Sequence, residues 1–189
     1  MNWSPDVAAF GNRLRKNLRH WSRWARREET ECYRVYDRDL PEFPLQIDRY
    51  GQRAHVQLLR KGRWAGEETW ERHEPIMLTA IGEVLTDGDP GRLAVKTRER
   101  ARGGSQYADA GSGSAAPFVV REHGLRFEVD LDSRLDTGLF LDHRNTRALV
   151  RAESAGRGVL DVVGGGGSFA VHAGAGGAGK SLGVGGGRA

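Results

Sequence analysis

Glycine is spread so unevenly along this chain that it splits the sequence into two parts with different folding prospects. The 189 residues hold 27 glycines, about twice the usual share, and 14 of them fall in the last 39 residues, where proline is absent. Each glycine in a helix or strand costs ~0.5–1 kcal/mol of backbone entropy relative to alanine. From Gly156 on, the chain can therefore form only short elements separated by turns, and the tail from about Gly174 is expected to be poorly ordered. The part before it is ordinary. Apolar residues make up 38% and charged residues 29% of the chain, enough to build one domain or two small ones.

Several classes are disfavoured early. No stretch approaches the ~20 apolar residues of a membrane span, and the opening Met1–Phe10 lacks the basic-then-apolar pattern of a secretory leader, so no membrane partner is expected. With Cys32 as the sole cysteine, an intrachain disulfide is impossible and a reducing cytoplasm is the default. Cys32 itself reads as a small buried apolar residue. The six histidines (His20, His55, His73, His123, His143, His172) show no ligand spacing, so no metal is expected. The formal net charge of +4 mildly favours an anionic partner.

That charge is concentrated. Between Asn12 and Arg27 stand seven basic residues (Arg13, Arg15, Lys16, Arg19, Arg23, Arg26, Arg27) and no acid. Phe10, Leu14, Leu18, Trp21 and Ala25 recur at three- and four-residue steps, which predicts an amphipathic helix with a cationic outer face. Such a face is either simply solvated or built to lie against phosphates.

Three β-rich runs follow, Cys32–Tyr36, Phe43–Asp48 and His55–Leu59, punctuated by Asp39, Pro41 and Gly51, and they predict a small antiparallel meander. The spacing predicts a second helix over Trp70–Leu85 and a short strand at Leu93–Val95. Residues 101–116 read as an exposed loop. Phe118–Val120 and Leu125–Val129 flank Glu122-His123-Gly124 as a hairpin. A helix is expected over Leu139–Ala155, then a buried-type strand Val159–Val163, a Gly164–Gly167 turn and a helix over Ser168–Ala175.

Several ordered blocks resemble the RlmK half of the bifunctional RlmKL 23S rRNA guanine methyltransferases. They are Phe10-Gly11-Asn12-Arg13-Leu14-Arg15-Lys16-Asn17-Leu18, Cys32 through Phe43, Ile47-Asp48-Arg49-Tyr50, Lys96-Thr97-Arg98-Glu99-Arg100, and Leu135-Asp136-Thr137-Gly138-Leu139-Phe140-Leu141-Asp142-His143-Arg144. The resemblance runs from residue 4 to about 184. The RlmI-type cytosine methyltransferases are similar only in the last third.

The resemblance implies an α+β N-terminal subdomain, helix plus small antiparallel sheet, followed by the start of an α/β Rossmann-like class I methyltransferase domain. The expected boundary puts an RNA-contacting subdomain at 1–115, and a β-hairpin with an incomplete methyltransferase domain at 116–189. It also implies S-adenosyl-L-methionine as cofactor and 23S rRNA, or a precursor of the large ribosomal subunit, as partner, with methylation at guanine N7. Cofactor contacts are expected from Asp161, Gly164, Gly165, Gly166, Gly167, Ser168 and Phe169, with Asp142 and Arg144 shaping the pocket or capping the helix that follows. RNA contacts are expected from Arg13, Arg15, Lys16, Arg19, Lys96, Arg98 and Arg100, although a solvated charge run would look the same.

The pattern is not complete. Gly165 and Gly166 stand where the family carries an aromatic residue and a threonine. Gly185 stands where an acid would hold the cofactor ribose. The catalytic residues are expected beyond Ala189, so this chain alone is expected to be an inactive fragment. The alternative is a non-catalytic RNA-binding module. Gly174-Ala175-Gly176-Gly177-Ala178-Gly179-Lys180-Ser181 matches the phosphate-loop pattern GxxxxGK[ST]. However, Leu182-Gly183-Val184-Gly185 is too poor a helix former to follow such a loop.

Overall fold

The computed structural model describes residues 5–59, 67–98, 116–132, 137–162 and 166–184. The cationic helix forms as the spacing predicts. Helix α1 spans Val7–Arg27, with Asp6 accepting a hydrogen bond from the Ala9 N–H (2.8 Å) and Arg26 and Arg27 in the last turn. Acceptor at the start and cations at the end both suit the helix dipole. Its apolar face buries Phe10 and Leu14 completely, and Phe10 stacks on Phe43 at 4.2 Å and meets Tyr36 edge-on at 5.3 Å. Arg15, Lys16, Arg19, Arg23, Arg26 and Arg27 stay exposed on the other side.

Strands β1 (Cys32–Asp37), β2 (Leu45–Tyr50) and β3 (Arg53–Leu59) form the expected antiparallel meander. Helix α2 (Glu67–Leu85) starts earlier than Trp70 and accommodates Pro75 inside. It carries the chain back so that β4 (Leu93–Arg98) adds to β3 in parallel, and the sheet is mixed, in the order β1-β2-β3-β4. The parallel pair was hidden in the sequence because only a crossover helix can make it.

One sheet face packs under α1 and α2. Val35, Leu45, Ile47, Val56, Leu58, Met77 and Ile81 form this core. The other face carries Cys32, Tyr50 and Ala94 into a second cluster with Val120, Val129, Leu131 and Leu139. Those partners come from the hairpin β5 (Phe118–Glu122) and β6 (Leu125–Val129) and from the segment after it. The hairpin is tied to the α1–β1 connection by Glu31 N–H to Arg121 O and Arg121 N–H to Glu31 Oε2, both 2.9 Å. The expected boundary at 115–116 borders residues outside those described.

The expected helix over Leu139–Ala155 is shorter. A single 3-10 turn at Leu141–His143 leads into α3 (Arg144–Glu153). Strand β7 (Gly158–Asp161), helix α4 (Ser168–Ala175) and strand β8 (Lys180–Gly183) complete the chain, with β7 and β8 parallel.

The glycine-rich tail is thus more regular than expected through residue 184. Its glycines allow close packing: a Cβ at Gly176 would overlap the carbonyl oxygen of Arg151, so only glycine lets the end of α4 meet the end of α3. Gly156 N–H to Gly177 O (2.9 Å), Gly179 N–H to Arg157 O (3.0 Å) and Val184 N–H to Asp161 O (2.7 Å) then fix β8. Lys180 and Ser181 open a strand, which removes the phosphate-loop reading, since that loop must open a helix.

Candidate functional site: a glycine turn and a cleft that share a wall

Asp161 ends β7, and the chain turns through glycines into α4, whose first residue Ser168 is buried. Gly164 and Gly165 lie outside the described residues. Gly167 precedes α4 at φ +69°, and a Cβ there would meet nothing within 4 Å, so the turn opens on free space. A strand-end carboxylate can accept from an ammonium group, while open glycine backbone and a helix N-terminus offer N–H donors to a carboxylate, a combination suited to an amino-acid moiety.

The turn leans on the 137–144 segment. A Cβ at Gly166 would overlap the carbonyl oxygen of Gly138, and the Phe169 ring meets His143 edge-on at 5.8 Å. Asp142 and Arg144, expected to shape the pocket or cap the following helix, flank His143, and both line the cleft described next. The Arg144 guanidinium lies 4.2 Å over the Trp24 ring and 3.4 Å from Glu28 Oε2, so it clasps α1. The Asp142 side chain is exposed, with His143 Nε2 at 3.9 Å.

The opposite side of the same segment lines a cleft of ≈ 1250 Å³ between α1 and the second face of the sheet. Two cross-strand rows make its floor. One runs Arg34, Asp48, His55, Ala94, and the next runs Asp37, Gln46, Gln57, Lys96. Arg34 holds Asp48 through Nε–Oδ1 (2.7 Å) and Nη2–Oδ2 (3.1 Å), while Asp37 accepts from Arg34 Nη1 (3.2 Å) and Gln46 Nε2 (3.0 Å). His20, Trp21 and Trp24 of α1 form one wall, and Thr137, Phe140 and Leu141 the other. Tyr50, fully buried, fixes that second wall through its hydroxyl, 2.9 Å from Thr137 Oγ1 and donating to Leu139 O (3.2 Å).

His55 is the anomaly of the floor. It is 2% exposed, and both ring nitrogens are buried with no hydrogen-bond partner among the described residues. Asp48 stands opposite in register, but Arg34 occupies both its oxygens. Burial, reinforced by the charges of Lys96 and Arg34, lowers the His55 pKa to about 4, so the ring is neutral at pH 7.

Of the expected RNA contacts, Arg13 is half-buried on α1, Arg15, Lys16 and Arg19 are exposed there, and Lys96 is in the cleft floor. Arg98 ends β4, paired in register with Leu59, and Arg100 lies outside the described residues, as does Asp136. The cleft floor was not singled out from sequence. The alternation of Gln46 with Asp48 and of His55 with Gln57 marks a polar sheet face, but alternation does not say that anything stands over it.

Among the described residues, one His/acid cluster brings ligand atoms within 4.8 Å of one another: Glu122, His123 and His172. Its carboxylate is already held by Arg147 at 2.7 and 2.9 Å. Cys32 is buried, and burial pushes its thiol pKa well up, so it is an inert packing residue. No helix among the described residues is long and apolar enough to cross a membrane.

The chain is 43% identical over 176 residues to the ribosomal RNA large subunit methyltransferase K of Neisseria meningitidis, covering 93% of this chain and 49% of that one. It is 42% identical over 172 residues to the methyltransferase K/L of Shewanella amazonensis, covering 91% of this chain and 24% of that one. The chain therefore spans half or less of the length of these relatives. Among solved structures, a methyltransferase complexed with SAH matches with a TM-score of 0.73 at 24% identity, over 98% of this chain and 46% of the other. An S-adenosylmethionine-dependent methyltransferase from Streptococcus mutans matches with a TM-score of 0.69, also at 24% identity and over the same shares. Both show the fold. The S-adenosylmethionine-dependent methyltransferase family matches residues 80–188, more than half of the chain, and this protein belongs to it.

Proposed function

We propose that this chain takes part in methylating guanine N7 of 23S rRNA with S-adenosyl-L-methionine, holding the RNA through α1 and the cleft and the cofactor at the glycine turn. The observation that carries the reading is the shared wall: 137–144 touches the turn through Gly138 and His143 and lines the cleft through Thr137, Phe140 and Leu141. The rRNA target is supported by the relatives named ribosomal RNA large subunit methyltransferases. The choice of N7 rests on the RlmK resemblance of the blocks described above.

The cofactor supplies an electrophilic methyl group on a sulfonium. Guanine N7 carries its own lone pair, so no covalent protein intermediate is required, and the protein's contribution is to align the two reactants. In this chain Asp161, the open backbone at Gly167 and the first turn of α4 would hold the cofactor's polar end. The exposed Arg15, Lys16, Arg19 and Arg23 would hold phosphates. The group that completes the target-base site is unassigned within the described residues.

The test is incubation of the chain with 23S rRNA and S-adenosylmethionine, followed by nuclease digestion and mass spectrometry of nucleosides. N7-methylguanosine supports the reading, and 5-methylcytosine moves it to the cytosine branch. Salt-sensitive RNA binding with heat on titration with S-adenosylhomocysteine but no methyl transfer supports the reading for a chain that spans half or less of its relatives. The same RNA binding with no heat selects a non-catalytic RNA-binding module.

A further inference from the structure

We propose that the cleft between α1 and the sheet is a receptor for one unpaired RNA base, with Trp21 and Phe140 as its aromatic rim and His55 and Gln57 reading the base edge at its floor. The proposal rests on the RNA-methyltransferase reading and adds a site to it.

Three independent observations converge. First, His55 is a polar side chain buried to 2% exposure at the cleft floor with both nitrogens unpartnered among the described residues. A buried polar group without a partner costs ~1–3 kcal/mol and calls for an explanation, and at the floor of an open cleft a ligand can supply it. Second, Trp21 and Phe140 line the same cleft and are 37% and 51% exposed, large apolar rings left in water on opposite walls. Trp24, which also lines the cleft, is already covered by Arg144. Third, the charges in the floor balance. Arg34 is committed to Asp48 and Asp37, and Lys96 is the second cation of the two rows. Two cations against two carboxylates, with two glutamines and a neutral imidazole, leave no net positive charge to hold a phosphate. Such a floor suits a flat, uncharged ligand that presents both donors and acceptors on its rim, which is the description of a nucleobase.

His55 as a neutral ring offers one donor and one acceptor, and the Gln57 amide, next but one along β3 and so on the same face, offers both again. The volume of ≈ 1250 Å³ accommodates one nucleotide with its ribose.

The experiment compares the full chain binding a hexaribonucleotide with the same strand carrying one abasic position, by fluorescence anisotropy at several salt concentrations. The intact strand is expected to bind about 10-fold tighter, the value of one stacked and edge-read base. His55→Phe and, separately, the surface variant Trp21→Ala should each reduce that preference to under about 2-fold while leaving the salt slope unchanged. Circular dichroism confirms that each variant is folded, and Trp21→Ala keeps the test decisive if His55→Phe is not. Equal binding of intact and abasic strands overturns the base receptor but leaves the RNA-binding reading standing. No RNA binding at all overturns both. If saturating S-adenosylhomocysteine abolishes the preference by occupying the cleft itself, with His55→Phe weakening that ligand as much as RNA, the cleft belongs to the cofactor and the proposal falls.

Discussion

Arg147 grips Glu122 with two hydrogen bonds, Nε–Oε1 at 2.7 Å and Nη2–Oε2 at 2.9 Å, and neither side chain has any contact with solvent. The same guanidinium donates to Phe140 O (2.8 Å), and His172 Nε2 lies 3.3 Å from Glu122 Oε1, its ring stacked on Phe127 at 5.6 Å. One buried ionic cluster thus joins the hairpin, α3, α4 and the 137–144 wall. Burial alone would raise the Glu122 pKa, but His172 and Arg147 hold it down to about 2.

Removing one partner leaves the other charge buried and uncompensated. Arg147→Ala is expected to lower stability by about 3–5 kcal/mol in urea unfolding. The double change Arg147→Met, Glu122→Leu should recover most of that loss, because no charge is then stranded. A single-variant loss below about 1 kcal/mol would show that the pair does not hold these elements together.

Acid should destabilise the protein in two steps. Between pH 6.5 and about 4 the unfolded chain protonates His55 and the folded chain does not, so stability falls as pH falls, by up to about 1.4 kcal/mol per unit. Between pH 4.5 and about 2 the same holds for Glu122, whose folded pKa is also depressed. His55→Phe should shrink the upper step, leaving the part due to His123 and His73, whose pKa values burial also lowers, and should leave the lower step unchanged. A wild-type curve flat from pH 6.5 to 4 would contradict the burial of a neutral ring.

At pH 7 the same substitution should raise the melting temperature, since it removes two unpartnered buried nitrogens worth ~1–3 kcal/mol. A gain in stability with a loss of RNA preference is the signature of a residue kept for binding.

Gly176→Ala pushes a methyl into the Arg151 carbonyl, which is backbone and cannot turn aside. A loss of about 1–3 kcal/mol is expected in thermal unfolding. Gly183→Ala, where a Cβ meets nothing within 4 Å, serves as the control and should be nearly neutral.

Replacing Arg15, Lys16 and Arg19 with glutamine should weaken RNA binding uniformly across sequences. Each true phosphate contact removed should flatten the log–log salt slope by about 0.7 for single strands. An unchanged slope would mean that this face is only solvated.

The elements that were legible in the sequence are those whose periodicity is local. Phe10, Leu14, Leu18 and Trp21 announce α1, and Glu122-His123-Gly124 announces the hairpin turn, where His123 and Gly124 both take positive φ. The helix drawn from Leu139 was too long, because the polar stretch Asp142–Asn145 does not reveal that Leu141–His143 is wound as a 3-10 turn. Asp142 and Arg144 belong to a block upstream of the glycine turn in sequence, yet Arg144 reaches Trp24, more than a hundred residues earlier. The cleft floor could not be read at all. His55 is an unremarkable alternating residue until the 137–144 segment stands over it, and that placement depends on Tyr50 finding Thr137 across the fold.

The shared wall has a thermodynamic consequence. Gly138 and His143 touch the glycine turn and Thr137 and Phe140 line the cleft, so if cofactor and RNA fill these sides as proposed, any displacement of that short segment by one alters the other. Linkage then requires the effect to be mutual: whatever factor the cofactor adds to RNA affinity, RNA must add to cofactor affinity. The two reactants would be sensed together rather than in turn, through a strip of chain too short to respond to one alone.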